Sequence, residues 1–423
     1  MILFIEGKNT YQIQKMNQNL SVQEAEEHYQ ELKSKGFHLD LTRGKPSSEQ
    51  LDLSAELEND LAGEFDQDGI DVRNYGGLLG LEGMRQLGSE ILGCKKEMVI
   101  AGGNSSLTLM AQYVSSLFFQ GNGEGPWSMH ERNSFLCPVP GFDRHFTLCD
   151  EFSVNMIPVP LTGKGPDIGK TKSIVQSDSS VKGIWCVPKH SNPTGETYNE
   201  ESVNGLLEIA SSREGFKIFW DNAYAVHDFA KSEPLPNIFS LAEEKNLQDS
   251  IIAFASTSKI TFAGSGVGFI AMSKNNLEKF IKHYSSMVIG PDKVNQARHI
   301  KFFKDFKGIK NHMNKHAEIV GPKFELVQEW LSKQNYGSWT QPTGGYFVTF
   351  KSESGLAREI VNLANKAGLK LTPAGATFPY GVDPNDEIIR LAPTACTNQE
   401  LEEAMKIFNA CVALATLKKR VNS

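Results

Sequence analysis

Apolar runs alternate with amphipathic stretches from about residue 97 to residue 310, and this alternation constrains the fold more than any other feature of the sequence. Several runs are continuously apolar and rich in Val, Ile and Phe, which is typical of strands covered on both faces of a sheet. Strands that alternate with helices predict a mostly parallel sheet flanked by helices in a large α/β domain. The predicted strands lie within 97–103, 133–141, 153–161, 181–189, 216–224, 250–257 and 267–273.

The pattern changes near Gly290–Pro291, where a long charged helical stretch is predicted over about 292–334. Shorter strand-like runs and two further helices follow it and predict a small α+β domain. A capped helix is predicted near the start of the chain, over 21–36. We therefore expect three parts, which are an N-terminal segment that packs on the small domain (1–55), a large domain (56–310) and a small C-terminal domain (311–423).

Composition restricts the class of function. The chain has 423 residues, a net charge of −7 and a pI of about 5.9, so its charge gives no reason to expect a nucleic-acid partner. The six cysteines form no C-x-x-C pair, and neither disulfides nor a metal site are expected. Glu6 and Lys8 interrupt the apolar start of the chain, and no apolar run approaches the roughly 18 residues of a membrane span. We expect a cytoplasmic protein without a membrane partner.

Polar residues follow four of the predicted strands at their carboxyl ends. These ends carry Gly-Gly-Asn-Ser-Ser at 102–106, Ser-Asn-Pro-Thr-Gly at 191–195, Asp-Asn-Ala-Tyr at 221–224 and Ser-Thr-Ser-Lys at 256–259. Taken singly, each is explained by a helix cap, a turn or a solvated lysine. Because functional groups in open α/β sheets gather at the carboxyl ends of the strands, the four together predict one site.

The predicted site combines a lysine, an acid, a phenol, an amide and a glycine-led helix N-terminus. Pyridoxal phosphate needs this set of groups. A lysine amine binds its aldehyde, a carboxylate keeps its pyridine nitrogen protonated, and backbone N–H groups at a helix start hold its phosphate. Lys259, Asp221 and the turn at 102–106 are the candidates for these three tasks.

The sequence resembles the fold-type I, class I aminotransferases that depend on pyridoxal phosphate, and in particular the aspartate aminotransferase-like branch that is grouped with MocR-type proteins. The resemblance extends from about Leu41 to Thr394. Seven motifs carry it in order along the chain: NYGGLLGLEGMR (74–85), PGFDRH (140–145), SNPTG (191–195), DNAY (221–224), STSK (256–259), PTGGYF (342–347) and IRLAP (389–393).

The resemblance implies a large domain that binds pyridoxal phosphate and a role for each matching residue. Lys259 would bind the cofactor aldehyde and move a proton, Asp221 would pair with the pyridine nitrogen, and Tyr224 would reach the ring hydroxyl; these are the implied catalytic residues. The implied cofactor-binding residues are Gly103, Asn104, Ser105, Phe142, His145, Asn192, Asp221, Tyr224, Ser256, Ser258, Lys259 and Tyr75. The implied substrate-binding residues are Gly44, Asn192, Arg390 and Arg144.

Three of these roles have wider consequences. Arg390 would bind the substrate α-carboxylate through both arms of its guanidinium. Tyr75 would reach the phosphate from a second subunit, which implies a homodimer. Gly44 would lie in the loop that closes over the substrate. One departure stands out, because Val267 occupies the position where many relatives carry an arginine that pairs with the phosphate.

We expect a transaminase that moves the amino group of an L-amino acid, with aspartate as the best candidate, to 2-oxoglutarate in a ping-pong cycle. Recognition of the distal carboxylate of aspartate requires a cation. The candidates are Arg43, Lys45, Arg144 and Lys293. The alternatives are a C–S lyase or decarboxylase of the same fold type, and an aminotransferase of broad or aromatic specificity. A MocR-type regulator is not favoured, since about 40 residues of mixed charge before Leu41 do not match a winged helix.

Overall fold

The structure is a computed structural model that describes residues 20–59, 61–67, 69–121 and 125–422. Within these residues the chain forms thirteen α-helices. They are α1 (Val22–Ser34), α2 (Ser48–Asp52), α3 (Glu82–Leu92), α4 (Ser106–Gln120), α5 (Asp143–Glu151), α6 (Ile168–Ser177), α7 (Glu200–Ser211), α8 (Ile238–Glu244), α9 (Lys274–Tyr284), α10 (Lys293–Phe303), α11 (Phe306–Ser332), α12 (Ala357–Lys366) and α13 (Asn398–Asn422).

The strands of the described residues fall into four sheets. They are β1 (Leu39–Asp40), β2 (Asp66–Gln67), β3 (Ile70–Asp71), β4 (Val99–Ala101), β5 (Ser134–Val139), β6 (Asn155–Pro160), β7 (Val181–Cys186), β8 (Lys217–Asp221), β9 (Ile251–Ser256), β10 (Gly268–Met272), β11 (Ser338–Trp339), β12 (Val348–Lys351), β13 (Leu369–Lys370) and β14 (Ile388–Leu391).

A seven-stranded sheet with the order β4-β10-β9-β8-β7-β5-β6 forms the centre of the larger part. Strand β10 is antiparallel to both of its neighbours, and the other strands run in one direction. The prediction of a mostly parallel, mixed sheet flanked by helices is therefore confirmed. Because the parallel strands end at one edge, the polar turns that follow β4, β7, β8 and β9 are brought together there.

Both faces of this sheet are buried, which explains why its strands are continuously apolar. In β8, Ile218 and Trp220 pack in a cluster on one face, and Phe219 packs in a second cluster on the other face. Phe219 meets Phe135 of β5 edge-on, with ring centroids 5.0 Å apart. Each fully buried side chain of this size contributes about 1.5–3 kcal/mol, so the strand ends are held on a rigid platform.

A separate apolar cluster joins the start of the described chain to its C-terminal part. It includes Tyr29 of α1, Phe350 of β12 and Phe408 of α13. The Tyr29 hydroxyl donates to the Leu363 carbonyl at 3.1 Å. A three-stranded antiparallel sheet, β11-β12-β14, lies in this smaller part. The α+β character predicted for it is confirmed.

Two findings bear on the predicted domain boundaries. Residues 1–19 of the predicted N-terminal segment lie outside the described residues. The boundary predicted at 310/311 falls inside α11, whose Ile309 belongs to the core of the large part and whose Phe324 belongs to the core of the small part. The two cores therefore share one helix, and the boundaries stay a prediction.

The prediction of one helix over 292–334 is wrong, because the stretch is divided into α10 and α11. Lys304 adopts a left-handed conformation with φ of 66°, which ends α10. The Asp305 side chain then accepts from the Gly308 N–H at 2.8 Å and begins α11.

Candidate active site

Asp221 ends β8 and is 2% exposed. Its Oδ2 accepts from His145 Nε2 at 3.0 Å, and the imidazole stacks on Trp185 with centroids 4.3 Å apart. Its Oδ1 is buried and has no hydrogen-bond partner among the described residues. A buried carboxylate oxygen without a partner is unfavourable by itself, and it is well suited to a donor such as a protonated pyridine nitrogen.

Lys259 lies on the turn that follows β9, and its Nζ is 5.1 Å from the centroid of the Tyr224 ring. Burial lowers the pKa of Lys259, and the charge of Asp221 offsets part of this decrease. The Lys259 carbonyl accepts from the Tyr346 hydroxyl and from His227 Nε2, both at 3.2 Å. The backbone of the turn is thus fixed while the amine is made a better nucleophile.

Tyr224 follows β8 and is 2% exposed. Burial raises the pKa of its phenol well above the ordinary value, and Tyr346 and Asp221 add to the effect. The ring packs against Tyr346, with centroids 5.8 Å apart. Tyr224 therefore stays protonated at neutral pH and can donate a hydrogen bond to an anionic oxygen.

Two turns meet at the N-terminus of α4, where the phosphate is expected. The Ser258 hydroxyl donates to the Asn104 carbonyl at 3.1 Å, and Asn104 Nδ2 donates to the Gly264 carbonyl at 3.1 Å. The Gly268 N–H donates to the Gly103 carbonyl at 2.6 Å. Ser105 precedes α4, and its side chain makes no capping hydrogen bond. Its hydroxyl and the first N–H groups of the helix are available to an anion.

The glycines after Lys259 do not all serve the same purpose. A Cβ on Gly266 would lie 2.7 Å from the Ser258 nitrogen, and one on Gly268 would lie 2.9 Å from the Ser105 carbonyl carbon. At these two positions only glycine permits the close approach of the turns. Gly264 has open space around the corresponding position.

Val267, which replaces the arginine of many relatives, is a buried core residue that is 2% exposed. Its N–H donates to the Thr257 hydroxyl at 2.8 Å, and its carbonyl accepts from the Thr257 N–H at 2.9 Å. The position therefore contributes to the closure of the turn around Lys259.

Arg390 lies on β14, 6% exposed, and its guanidinium is surrounded by acceptors. Nη1 lies 3.2 Å from both Asp143 Oδ1 and Asn192 Oδ1, while Nη2 donates to the Thr42 carbonyl at 3.3 Å. Nε donates to the Thr372 hydroxyl at 3.3 Å. The guanidinium is held in one orientation, as recognition of a carboxylate by two parallel hydrogen bonds requires.

Asp143 is a site residue that the sequence did not single out, although Phe142, Arg144 and His145 around it were predicted. It is the first residue of α5, and its side chain is 32% exposed. The predicted ring-stacking residue Phe142 precedes it and packs edge-on to His145, with centroids 5.1 Å apart. Helix α5 therefore contacts Asp221 through His145 and Arg390 through Asp143.

Gly44 packs against the ring of Phe347, where a Cβ would lie 2.5 Å from Cζ. The same ring also packs beside Arg390, whose Cζ lies 4.9 Å from the Phe347 centroid. Arg43 and Lys45 flank Gly44, and both are exposed. Phe347 belongs to the quoted PTGGYF motif, but nothing in the sequence assigned it a contact.

Three further predicted residues differ in their exposure to solvent. Arg144 is exposed on α5. Tyr75 is 83% exposed, and its N–H donates to the Asn74 side chain at 2.8 Å. Lys293 is buried, and its Nζ donates to the carbonyls of Asn74 at 2.8 Å and Gly76 at 2.7 Å. Lys293 is thus committed to the backbone of its own chain, which argues against it as the cation for a distal carboxylate.

A buried polar network behind Lys259 was also missed in the sequence. Gln50 Nε2 donates to the Tyr346 hydroxyl and contacts His316 Nδ1, both at 3.0 Å. Burial lowers the pKa of His316 to about 3 and that of His227 well below its ordinary value, so both stay neutral. No local spacing connects Gln50 to Lys259, and so no motif could have found this support.

Comparison with known proteins identifies the family to which this fold and this candidate site belong. The family model described as aspartate amino-transferase matches residues 15–423. An aspartate aminotransferase of Corynebacterium glutamicum is 43% identical over 404 residues, which cover 93% of both chains. The chain therefore belongs to this aminotransferase family, and the resemblance stated from the motifs is confirmed.

Solved structures agree with the family. The crystal structure of an aspartate transaminase from Corynebacterium glutamicum is 40% identical, with a TM-score of 0.90 and coverage of 97% of this chain and 98% of the other. The α-aminoadipate aminotransferase of Thermus thermophilus is 20% identical, with a TM-score of 0.75 and coverage of 97% and 98%, and shares the fold. Within the part of the chain that the structure describes, no helix is long and apolar enough to cross a membrane.

Proposed function

We propose that this aminotransferase uses pyridoxal phosphate to move the amino group of L-aspartate to 2-oxoglutarate. The observation that carries the proposal is the common location of three groups at one edge of the sheet. They are the buried amine of Lys259, the unpartnered Oδ1 of Asp221 and the oriented guanidinium of Arg390. The 43% identity to a relative named aspartate aminotransferase supports the choice of donor.

The residues present fit pyridoxal phosphate. The Thermus structure with the same fold was solved with N-(5'-phosphopyridoxyl)-L-leucine. In this chain, Asp221 Oδ1 fits a pyridinium donor, and the start of α4 with Ser105 fits a phosphate. When bound, the cofactor supplies an aldehyde that captures the amino group and a ring that withdraws electrons from the substrate Cα.

Each residue then has a defined task. Lys259, whose pKa is lowered by burial, would accept the proton of the substrate Cα and pass it to the cofactor carbon that carried the aldehyde. Asp221 stabilises positive charge on the ring nitrogen, and His145 fixes its orientation. Tyr224 and Asn192 would donate to the ring oxygen. Arg390 orients the substrate through its α-carboxylate, so that the Cα–H bond is presented to the amine.

We propose Arg144 as the cation for the distal carboxylate of aspartate, because it is exposed and follows Asp143 directly on α5. The matched alternative is Arg43, which follows Thr42, another contact of Arg390. We expect Arg144→Ala to raise KM for aspartate about tenfold and to leave KM for alanine unchanged. Equal effects on both donors would remove Arg144 from this role, and selective loss in Arg43→Ala would transfer it to Arg43.

A panel of amino donors tests the function as a whole. The enzyme loaded with pyridoxal phosphate is mixed with each L-amino acid, first without an acceptor and then with 2-oxoglutarate. A transaminase changes the cofactor spectrum without the acceptor, releases one equivalent of oxo acid and turns over only when 2-oxoglutarate is added. Release of carbon dioxide or sulfide without an acceptor would instead identify a decarboxylase or a C–S lyase. A higher kcat/KM for aromatic donors than for aspartate would replace the proposed substrate.

We also propose a homodimer in which Tyr75 reaches the phosphate of the partner subunit. The 83% exposure of its side chain supports this role. Subunits carrying Tyr75→Ala and subunits carrying Lys259→Ala are mixed after separate purification. If Tyr75 acts across the interface, hybrid dimers contain one intact site and recover activity. If it acts within its own chain, each hybrid site lacks one residue and mixing recovers nothing.

A further inference from the structure

Helix α10 buries an unusually polar surface. Its buried residues are Lys293, Gln296, Ala297, His299 and Phe303, and the first, second and fourth are 3%, 0% and 0% exposed. Lysine and glutamine are seldom buried in this way unless every polar group has a partner. Apart from the Asn295 carbonyl of α10 itself, the partners of Lys293, Gln296 and His299 lie at the end of β4, in the turn after β9 and in the segment 74–81.

Lys293 holds the loop that carries Tyr75. Its ammonium donates to the carbonyls of Asn74 and Gly76, the residues on either side of Tyr75. A charged donor to two carbonyls fixes this loop more firmly than neutral hydrogen bonds do. Since Tyr75 is itself exposed, its direction depends on the backbone that Lys293 anchors.

Gln296 holds the strand end before the glycine-led turn. Its Nε2 donates to the Ala101 carbonyl at 3.0 Å and lies 3.4 Å from the Gly102 carbonyl. Its Oε1 accepts from the Leu81 N–H at 2.8 Å. The turn that leads into α4 therefore starts from a fixed position.

Asn295 and His299 hold the turn that follows Lys259. Asn295 Nδ2 donates to the Ser265 carbonyl at 2.9 Å and contacts the Gly266 carbonyl at 3.3 Å, directly before Val267. His299 Nδ1 donates to the Asn295 carbonyl at 2.8 Å, which leaves Nε2 as an acceptor for the hydroxyls of Thr257 and Thr261, at 3.2 and 2.9 Å.

We propose that Lys293, Asn295, Gln296 and His299 of α10 are positioning residues that preorganise the phosphate-binding loops in a chain that carries Val267 in place of an arginine. They act on the backbone of the three segments expected to surround the phosphate, and none of them has to touch it. Loops fixed in the binding geometry lose less conformational entropy when the anion binds. The inference rests on the proposed binding of pyridoxal phosphate.

The test compares two ligands that differ only in the phosphate. Apo-enzyme is titrated with pyridoxal phosphate and with pyridoxal, and the dissociation constants are measured from the absorbance of the imine formed with Lys259. Asn295→Ala and Lys293→Met are the test variants. Lys301→Met is the matched control, because Lys301 lies on the same helix, its side chain is 49% exposed, and among the described residues its ion pair is with Glu64 at 3.4 Å.

We expect Asn295→Ala and Lys293→Met each to weaken pyridoxal phosphate about tenfold while the dissociation constant for pyridoxal changes less than about twofold. Lys301→Met is expected to change neither constant. General damage to the fold would weaken both ligands alike, so selective loss of the phosphorylated ligand identifies positioning of the phosphate loops.

The outcomes are distinguishable. If unmodified enzyme binds neither ligand, the proposed cofactor is wrong. If it binds pyridoxal phosphate and the two variants bind it equally well, or lose both ligands in equal measure, the role of α10 is overturned. If Lys293→Met does not fold, Asn295→Ala decides alone, because Asn295 is only half-buried and its replacement leaves the core intact.

Discussion

Asp221 and Arg390 lie at opposite ends of the candidate site, and both are almost fully buried, with exposures of 2% and 6%. Their surroundings differ. Asp221 uses one oxygen for His145 and keeps the other without a partner among the described residues. The guanidinium of Arg390 instead contacts acceptors from four residues, and one of them, Asp143, carries a charge.

The two environments suit ligands that stay bound for different lengths of time. A buried carboxylate oxygen without a partner suits a ligand that stays bound through every cycle. If that ligand left, the oxygen would again be buried without a hydrogen bond, which is unfavourable. An arginine with a partly exposed counter-ion suits a ligand that enters and leaves, since the internal partner can take over. We therefore expect changes near Asp221 to act mainly on kcat, and changes near Arg390 to act mainly on KM.

The largest effect is expected for Lys259→Ala, because the Lys259 amine is proposed to act on both the cofactor and the substrate. Without the amine, neither covalent capture of the cofactor nor proton transfer at the substrate Cα is possible. Turnover should decrease by roughly 10,000-fold or more. The change is measured as kcat with 2-oxoglutarate present, together with loss of the imine absorbance. A variant that keeps substantial turnover would disprove the assignment of Lys259.

Asp221→Asn should have the next largest effect. The amide preserves the shape but removes the charge that stabilises a protonated ring nitrogen, so kcat should decrease about 1,000-fold while KM changes little. Steady-state kinetics with aspartate measure both constants. An increase confined to KM would contradict the expectation that changes near Asp221 act on kcat and changes near Arg390 act on KM.

Arg390→Lys should raise KM about 10- to 100-fold, because an ammonium cannot form two parallel hydrogen bonds with a carboxylate. The α-carboxylate is common to all donors, so the effect should be equal for aspartate and alanine. Kinetics with the two donors check this expectation. A loss seen only with aspartate would instead place the distal carboxylate at Arg390.

Asp143→Asn should have a small effect of opposite sign. Asp143 competes with the substrate for Arg390 Nη1, and the neutral amide competes less, so KM for aspartate should decrease about threefold. The partial exposure of the Asp143 side chain keeps the effect small. An increase in KM would show that Asp143 mainly orients the guanidinium.

Glu196, near Asn192, should affect stability alone. Burial raises the pKa of its carboxyl to about 7 from an ordinary value of 4.5. Ionisation therefore destabilises the folded state, and stability should decline between pH 4.5 and about 7. Glu196→Gln removes this titration and should stabilise the protein by about 1 kcal/mol above pH 7 and not below pH 4.5. Thermal unfolding at pH 4.5 and pH 8 measures the difference, and an equal shift at both values would contradict it.

The sequence singled out Asp221, Lys259 and Arg390, but it did not predict the contacts that surround Arg390 or those of Lys293. Asp221 and Lys259 follow strands whose apolar pattern is local, and parallel strands bring their ends together without further information. The contact between Asp143 and Arg390 joins residues 247 positions apart, and the contact between Lys293 and Asn74 joins residues 219 positions apart. Such pairs depend on how the two cores pack. The break at Lys304 was missed because a left-handed lysine has no local signature.

Helix α5 also restricts how this enzyme can be redesigned. Asp143 and His145 are two residues apart on one helix, and they contact the two ends of the site. The partner of the Asp221 carboxylate and the partner of the Arg390 guanidinium are therefore held about 3 Å apart along the axis of one helix. An enzyme selected for bulkier amino acids would have to gain its space from the 42–44 segment or from Phe347, because an insertion between Asp143 and His145 would move one of these partners away from its end of the site.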